Sequence, residues 1–237
     1  MQRSPVLLRL VAIATLLAAC SSAGTSPAPS SGPAVASSSP TMAEMGEAGD
    51  HAPLFPGTYT TQFRPALTLT VGHLVDLDCA VDFRCRGYIN VNASSWLDVV
   101  FGVDHQAEFA VNRLDKIFDP LATGGLTDPP ASVDLAAAIA RSPGVAVLQP
   151  AKAITLGGLA ATQLDVWAHE PLSLGPVPDV DGSDVGFPTE HEIRLIFLEV
   201  DGHAVLISEQ VGEKNTVHDF QAVLESLQPL IDSITWP

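Results

Sequence analysis

The sequence predicts an α+β domain, built as a mostly antiparallel sheet with helices packed on it. Short runs rich in β-branched and aromatic residues recur between Gly, Pro and Asp breaks, as in antiparallel sheets. Two of these runs flank Asp201-Gly202, a dipeptide that favours a hairpin turn. The last stretch of the chain has apolar residues at spacings of three and four, which predicts a helix with one buried face. With 237 residues, 46% of them hydrophobic, the chain is long enough for one domain with a real core.

The predicted strands follow one another along the domain. GTYTTQF and ALTLTV flank the Arg64-Pro65 corner and are predicted to be adjacent strands. YINVN, WLDVVFG and AEFAVNRL follow, and then GVAVLQP, KAITL and ATQLDVWAH, with a turn at Gly157-Gly158. A polar loop is predicted from Pro171 to Pro188. EIRLIFLEV and HAVLISEQV are then predicted to pair across Asp201-Gly202.

Two helices are predicted. The first covers Ser132 to Ala140, between an Asp-Pro-Pro stop and a Ser-Pro-Gly break. The second follows Thr216, which is placed to cap it, and Pro229 is expected to bend or break it. One face of this second helix carries an apolar stripe that predicts packing on the sheet, made of Val217, Phe220, Leu224, Leu227, Ile231 and Ile234.

The N-terminal segment Met1–Ala19 has the composition of a secretory signal. Arg3 and Arg9 precede or enter the apolar run LVAIATLLAA, which ends in small residues. A membrane-spanning helix needs roughly 20 apolar residues, and the stretch from Val6 to Ala19 is too short and is interrupted by Arg9. The sequence therefore predicts export and removal of residues 1–19.

The residues at the predicted cleavage point resemble the bacterial lipobox. Leu17-Ala18-Ala19-Cys20 places a cysteine directly after two small residues and the apolar run. The resemblance implies cleavage between Ala19 and Cys20, and a diacylglyceryl thioether on Cys20 with acyl chains such as palmitate. Two acyl chains supply the anchoring that one chain cannot. The expected location is the extracytoplasmic face of a bacterial cell membrane.

A low-complexity segment follows the cysteine. Residues 20–52 are mostly Ser, Ala, Pro, Gly and Thr, which cannot bury enough surface to offset the entropy of ordering them. A disordered linker is therefore predicted, with a reach on the order of 30 Å. The single folded domain is predicted to span residues 53–237.

Three stretches of the domain resemble lipoproteins of high-GC Gram-positive bacteria that are similar to the PsbP-like fold. They are PGTYTTQFRPALTLTV, ITLGGLAATQLDV and DFQAVLESLQPLIDSITW. The resemblance implies an α/β/α sandwich, in which a Gly-Gly turn precedes a long strand and a closing helix precedes a short final strand. It implies no shared catalytic residues.

The charge of the chain restricts its partners. The net charge is -16, and because Arg3 and Arg9 lie before Cys20 with no acidic residue beside them, loss of that segment lowers it to about -18. Such a surface repels phosphate backbones and anionic lipid headgroups, so nucleic acid is excluded as a partner and membrane contact is assigned to the lipid anchor. Cations or a basic partner, another envelope protein among them, are compatible with the charge.

The two remaining cysteines, Cys79 and Cys85, lie close together in an exported chain. An oxidising compartment favours a local disulfide between them. Two free thiols are the alternative, and so is a metal pair, although no second Cys or His pair follows at zinc-ligand spacing.

No catalytic, metal or cofactor residue is assigned from the sequence. The seven histidines are scattered, and the acidic loop DVDGSD, Asp179 to Asp184, lacks the full ligand pattern of a calcium loop. The first hypothesis is a binding or interaction module without catalysis. The alternatives are a carrier of an apolar ligand between sheet and helix, and a metal-dependent hydrolase whose Asp and His residues are brought together by folding.

Overall fold

The chain folds into a mostly antiparallel β structure with two helices. A computed structural model describes residues 43–44, 54–72, 87–101, 107–118, 125–211 and 220–237, which lie in one compact unit spanning Ser39–Pro237. In chain order its elements are β1 (Ala43–Glu44), β2 (Gly57–Thr60), β3 (Thr68–Val71), β4 (Tyr88–Asn92), β5 (Trp96–Phe101), β6 (Ala107–Leu114), β7 (Ile117–Phe118), β8 (Leu126–Thr127), α1 (Ser132–Ile139), β9 (Val145–Leu156), β10 (Leu159–Ala168), β11 (Leu172–Pro176), β12 (Asp184–Phe187), β13 (His191–Val200), β14 (His203–Val211) and α2 (Phe220–Asp232). Neither α1 nor α2 has the length and hydrophobicity that a membrane-spanning helix requires.

The main sheet has seven strands in the described part of the chain. Their spatial order is β4-β5-β6-β14-β13-β10-β9, and every neighbouring pair is antiparallel. Three smaller sheets are formed by β1-β2-β3, by β7-β8 and by β11-β12. This arrangement confirms the predicted antiparallel sheet.

Both faces of the main sheet are buried, each against a different helix. On β14, Val205 and Ile207 point into a core that also contains Val223 and Leu227 of α2. Leu206, between them, points to the opposite face and a core that includes helix α1 and the β11-β12 hairpin. Burial on both faces explains why β13 and β14 read as nearly continuous apolar runs, since alternate side chains enter different cores. We call these two sides of the sheet the α2 face and the α1 face.

Several predicted elements are confirmed. Strands β2 and β3 pair antiparallel on either side of Arg64-Pro65, and α1 begins at Ser132 as predicted. Strands β13 and β14 form the predicted hairpin, and Asp201 and Gly202 have φ values of 50° and 81°. Left-handed φ at both turn residues is the geometry that an Asp-Gly dipeptide favours.

The predicted Gly157-Gly158 turn is also present and contacts the C-terminus of the chain. Both glycines have positive φ, 55° and 83°. A Cβ at Gly157 would lie 2.7 Å from Cδ1 of Trp236, whereas one at Gly158 would meet no atom within 4 Å. Gly157 therefore allows Trp236 to pack closely against the turn.

The predicted loop from Pro171 to Pro188 is wrong, because this segment contains the β11-β12 hairpin. Leu172, Leu174, Val185 and Phe187 are all buried in the core of the α1 face. The strands were missed because each is only five or four residues long and the segment is interrupted by Gly and Pro. Burial of these four apolar side chains stabilises a hairpin that its local sequence does not indicate.

Two prolines do not end the elements that contain them. Strand β9 runs through Pro150, so the two predicted strands GVAVLQP and KAITL are one. Pro150 lies in the edge strand and at a register shift, where a missing N–H is tolerated. Helix α2 likewise continues through Pro229, and the break considered there is wrong. Leu230 and Ile231, directly after this proline, are buried, and their packing offsets the lost hydrogen bond.

Candidate functional site

A cavity of about 630 Å³ opens at the end of the main sheet where β13 turns into β14. Glu199 of β13 lies in its floor and is paired in register with Ala204 of β14. Ala160 of β10 also lines the cavity. It precedes Ala161, which pairs in register with Leu198 of β13, so Ala160 lies beside Glu199. Glu199, Ala160 and Ala204 form the sheet side of the cavity, which we call its floor: the exposed carboxylate of Glu199 between two small side chains on the neighbouring strands.

The walls of the cavity combine apolar and polar surface in about equal parts. Leu114 and Phe197 of the sheet and Leu135 of α1 contribute the inner wall, and all three are buried. The first turn of α1, preceded by Pro129 and Pro130, contributes the opposite wall. The cavity therefore lies between the sheet and a helix, where small-molecule sites are often found.

The rim of the cavity carries charges that are mostly paired. Lys116 Nζ lies 2.5 Å from Asp128 Oδ1. Arg113 donates from Nε and Nη2 to the two oxygens of Asp115 at 2.9 and 3.0 Å. His203 Nδ1 lies 3.8 Å from Asp115 Oδ1. The rim acids Asp115 and Asp128 therefore already have cationic partners.

At the other end of the sheet, on the α2 face, three charged residues form a row across adjacent strands. Asp165 of β10 pairs in register with Arg194 of β13, which pairs with Glu209 of β14. Arg194 Nε and Nη2 donate to the two oxygens of Asp165, each at 2.8 Å, while Nη1 lies 3.8 Å from Glu209 Oε2. The side chains are 3%, 11% and 1% exposed, in chain order. We call these three residues the ionic row.

Burial and neighbouring charges shift the pKa values of two members of the ionic row, Glu209 and Arg194. Burial raises the pKa of Glu209 to about 8, with the nearby charge of Arg194 opposing this and that of Asp165 adding to it. Burial by itself would lower the pKa of Arg194, but the hydrogen bonds and charge of Asp165 outweigh it, so that pKa is raised. Neither carboxyl oxygen of Glu209 has a hydrogen-bond partner within the described ranges. Arg194 is therefore ion-paired with Asp165, and the carboxyl group of Glu209 is mostly protonated at neutral pH.

A second polar group lies on the α1 face near the same end of the sheet. Glu108 of β6 pairs in register with Gln210 of β14 and is hydrogen-bonded by both Gln210 and Asp98. Asn90 Nδ2 donates to Asp98 Oδ2 at 2.7 Å. Burial raises the pKa of Glu108, and these hydrogen bonds oppose part of the rise. The pKa of Tyr88 is raised as well, mainly by burial and to a lesser extent by the negative charges of Asp98 and Glu108.

Neither of these two buried groups lines the cavity. They are polar groups buried inside the sheet, whereas the cavity offers space, a lining of mixed polarity and the exposed carboxylate of Glu199 beside the paired Asp115 and Asp128. The cavity is suited to holding a small molecule, whereas the ionic row and the group around Glu108 contribute polar contacts inside the sheet.

The cysteine predictions fall outside the described residues. Cys20 and the cleavage point after Ala19 lie there, as do Cys79 and Cys85. The lipid anchor and the disulfide with its alternatives stay predictions. So do the linker over residues 20–52 and the domain boundary near residue 53, although two residues of that linker, Ala43 and Glu44, form the strand β1 and pair with β2.

The acidic loop Asp179 to Asp184 is described, and two of its carboxylates contact other side chains. Asp179 Oδ2 accepts a hydrogen bond from Arg113 Nη2 at 3.2 Å. Asp184 Oδ2 accepts one from Ser173 at 3.5 Å. Within the described ranges, no group of three His, Cys, Asp or Glu residues could hold a metal ion.

The residues that form the cavity floor were not singled out by their sequence pattern. Glu199 stands in a run otherwise predicted as a strand, and Ala160 and Ala204 are ordinary small residues. The available signal is a charged residue two positions before the Asp201-Gly202 turn. That this residue lies beside Ala160 and Ala204 can be inferred only once the strand register is known.

Comparison with known proteins finds distant structural likenesses. The solution structure of cyanobacterial PsbP (CyanoP) from Synechocystis sp. PCC 6803 is 11% identical, with a TM-score of 0.40, and the match covers 81% of this chain and 98% of CyanoP. The crystal structure of PA94 from Pseudomonas aeruginosa, described as a protein of unknown function and putative regulator, is 20% identical, with a TM-score of 0.30 and coverage of 69% and 89%. LpqN, involved in cell envelope biogenesis of Mycobacterium tuberculosis, is 11% identical, with a TM-score of 0.28 and coverage of 83% and 90%. No protein-family model matches the chain, and no curated protein matches it.

Proposed function

We propose that the chain is an exported lipoprotein, anchored through Cys20 at the extracytoplasmic face of the membrane, whose domain binds a small ligand without catalysis. The observation that carries the binding function is the cavity of about 630 Å³ between α1 and the sheet. Its volume falls within the range of small-molecule sites, and its lining combines apolar side chains with a few polar and charged ones, as such sites do. The two buried cores on opposite faces of the sheet support the finer assignment to a PsbP-like sandwich.

The two alternative functions are less well supported. A carrier of a wholly apolar ligand would cover Glu199 with hydrocarbon and leave its charge without a partner, which is costly. A metal-dependent hydrolase would need converging ligands. At the cavity rim, the His203–Asp115 approach of 3.8 Å brings together only two such residues.

A cavity-filling substitution tests the binding function. We expect Ala204→Phe to place its ring in the space above the floor, so that small molecules no longer enter. The measurement is an NMR fragment screen on the full-length protein. Fragments should shift the amide signals of Ala160, Ala204 and Leu135 in the wild type, and the variant should lose these shifts.

The matched control for the cavity test is Ala222→Phe. Ala222 lies on α2, on the other side of the sheet, and is exposed. This variant should retain all fragment binding at the cavity. Fragments that cluster elsewhere, or that bind equally to Ala204→Phe, would contradict the proposed function.

The anchor is tested separately. In a bacterial host, wild-type protein should incorporate labelled palmitate and remain with the membrane fraction. Cys20→Ala should abolish labelling and leave the chain unprocessed or shed, because the thiol is the acceptor of the lipid. Cys79→Ala is the matched control and should keep the label. Unchanged labelling and membrane retention of Cys20→Ala would rule out the anchor.

A further inference from the structure

We infer that the cavity selects ligands carrying a compact organic cation, a primary amine or a guanidinium, and that Glu199 is the residue that binds this group. The inference rests on the binding function proposed above and specifies its ligand class. It follows from the distribution of charge around the cavity, the size of the side chains beside Glu199 and the character of the opposite wall.

The first argument is that Glu199 is the lining carboxylate left without a cation. Asp128 is paired with Lys116, and Asp115 is paired with Arg113. Glu199 has no ion-pair or hydrogen-bond partner among the residues that the structure describes. An incoming cation at this position would therefore make a new pair without displacing an existing one.

The second argument is access. Glu199 is flanked by Ala160 on β10 and Ala204 on β14, and neither side chain extends beyond its Cβ. Longer side chains at these two positions would fill the space beside the carboxylate. Small neighbours on both strands leave Glu199 open to a ligand that enters from the mouth of the cavity.

The third argument concerns the rest of the ligand. Pro129, Pro130 and Ala131, just before α1, line the cavity with accessible apolar surface, so a hydrocarbon body can pack against them while a charged group contacts the carboxylate. A bare divalent cation is a poor fit, since it requires several oxygen ligands at once. The arrangement favours an amphipathic organic cation.

The N-terminus of α1 also faces the cavity and by itself would favour an anion. The first turn of α1 carries Asp134, whose carboxylate opposes that preference. Together with the net charge of -16 on the whole chain, the local field at the cavity favours positive ligands.

Three ligands with one hydrocarbon body test the inference: cyclohexylmethylamine, cyclohexylmethanol and cyclohexanecarboxylate. Each is titrated into full-length protein while the amide signals of Ala160 and Ala204 are followed by NMR. The amine should bind most tightly and the carboxylate most weakly. The preference for the amine over the alcohol should be about fivefold at low salt, the size expected for a solvent-accessible ion pair, and should shrink as salt is added.

Glu199→Gln should abolish the preference for the amine while leaving the affinity for the alcohol unchanged. Glu225→Gln, an exposed carboxylate on α2, is the matched control and should keep the preference. Equal affinities for amine and alcohol, tighter binding of the carboxylate, or no cavity shift with any of the three would each overturn the inference. The binding function itself falls only if the fragment screen also finds no ligand at the cavity, so the two failures are distinguishable.

Discussion

Replacing Arg194 with methionine is expected to lower the free energy of unfolding by about 3 kcal/mol. Arg194 donates two hydrogen bonds to Asp165, whose side chain is only 3% exposed. Methionine occupies similar volume but leaves this carboxylate buried without its cation. Removing one partner of a buried pair is costly because the remaining charge is desolvated and uncompensated. Urea denaturation at neutral pH measures the change.

Arg113→Met is the matched control, since the Arg113 side chain is about as buried as that of Arg194 and makes the same two-point contact, but with a carboxylate that reaches the surface. Its partner Asp115 is 43% exposed, so water solvates the carboxylate once the arginine is gone. We expect a loss below about 1 kcal/mol. If Arg113→Met costs as much as Arg194→Met, burial is not what makes the ionic row sensitive.

A double substitution distinguishes the energetic cost of leaving the Asp165 charge unpaired from the cost of losing the packing of the Arg194 side chain. Replacing Arg194 with Met and Asp165 with Leu removes both charges and keeps the interior apolar, a change that is often nearly neutral for buried pairs. The double variant should therefore recover most of the stability that Arg194→Met loses. A double variant as unstable as the single one would contradict this account.

The sequence pattern is sufficient for elements whose signal is local. The Asp201-Gly202 turn combines a residue tolerant of left-handed φ with a glycine, between two apolar runs, and the hairpin forms there. The helix at Ser132 likewise lies between breaks that end helices wherever they occur. Such elements do not depend on which strand lies beside them.

The β11-β12 hairpin and the unbroken strand β9 depend instead on tertiary position. Pro150 would interrupt a central strand, but β9 is the edge of the sheet. Leu172 and Phe187 form strands because the core of the α1 face is available to bury them. Neither fact can be obtained from a window of neighbouring residues.

The cavity and the ionic row were not predictable for the same reason. Glu199 and Ala160 are far apart in the chain and become neighbours only through the register of β10 with β13. Arg194 and Asp165 are brought opposite each other by that same register. A shift of one residue would send these side chains to the other face, so the site is a property of strand pairing and not of a motif.

Replacing Glu209 with glutamine is expected to stabilise the protein at neutral and alkaline pH. The Glu209 side chain is 1% exposed, and its pKa is raised from an ordinary 4.5 to about 8. In the unfolded chain the carboxyl ionises near its ordinary pKa, while in the folded chain it stays protonated up to about pH 8. Stability contributed by this group is therefore complete below the unfolded pKa and is lost as pH rises toward the folded one.

Glutamine has nearly the shape of the protonated carboxyl but does not ionise in either state, so this loss is absent from the variant. We expect almost no difference in the free energy of unfolding near about pH 4 and a gain on the order of 5 kcal/mol above about pH 8. Urea denaturation across this range measures it, with Glu225→Gln on the exposed surface of α2 as a control that should show no such trend. A Glu209→Gln variant that loses stability at high pH would mean that the charged form of Glu209 is stabilised by Arg194 more strongly than burial opposes it.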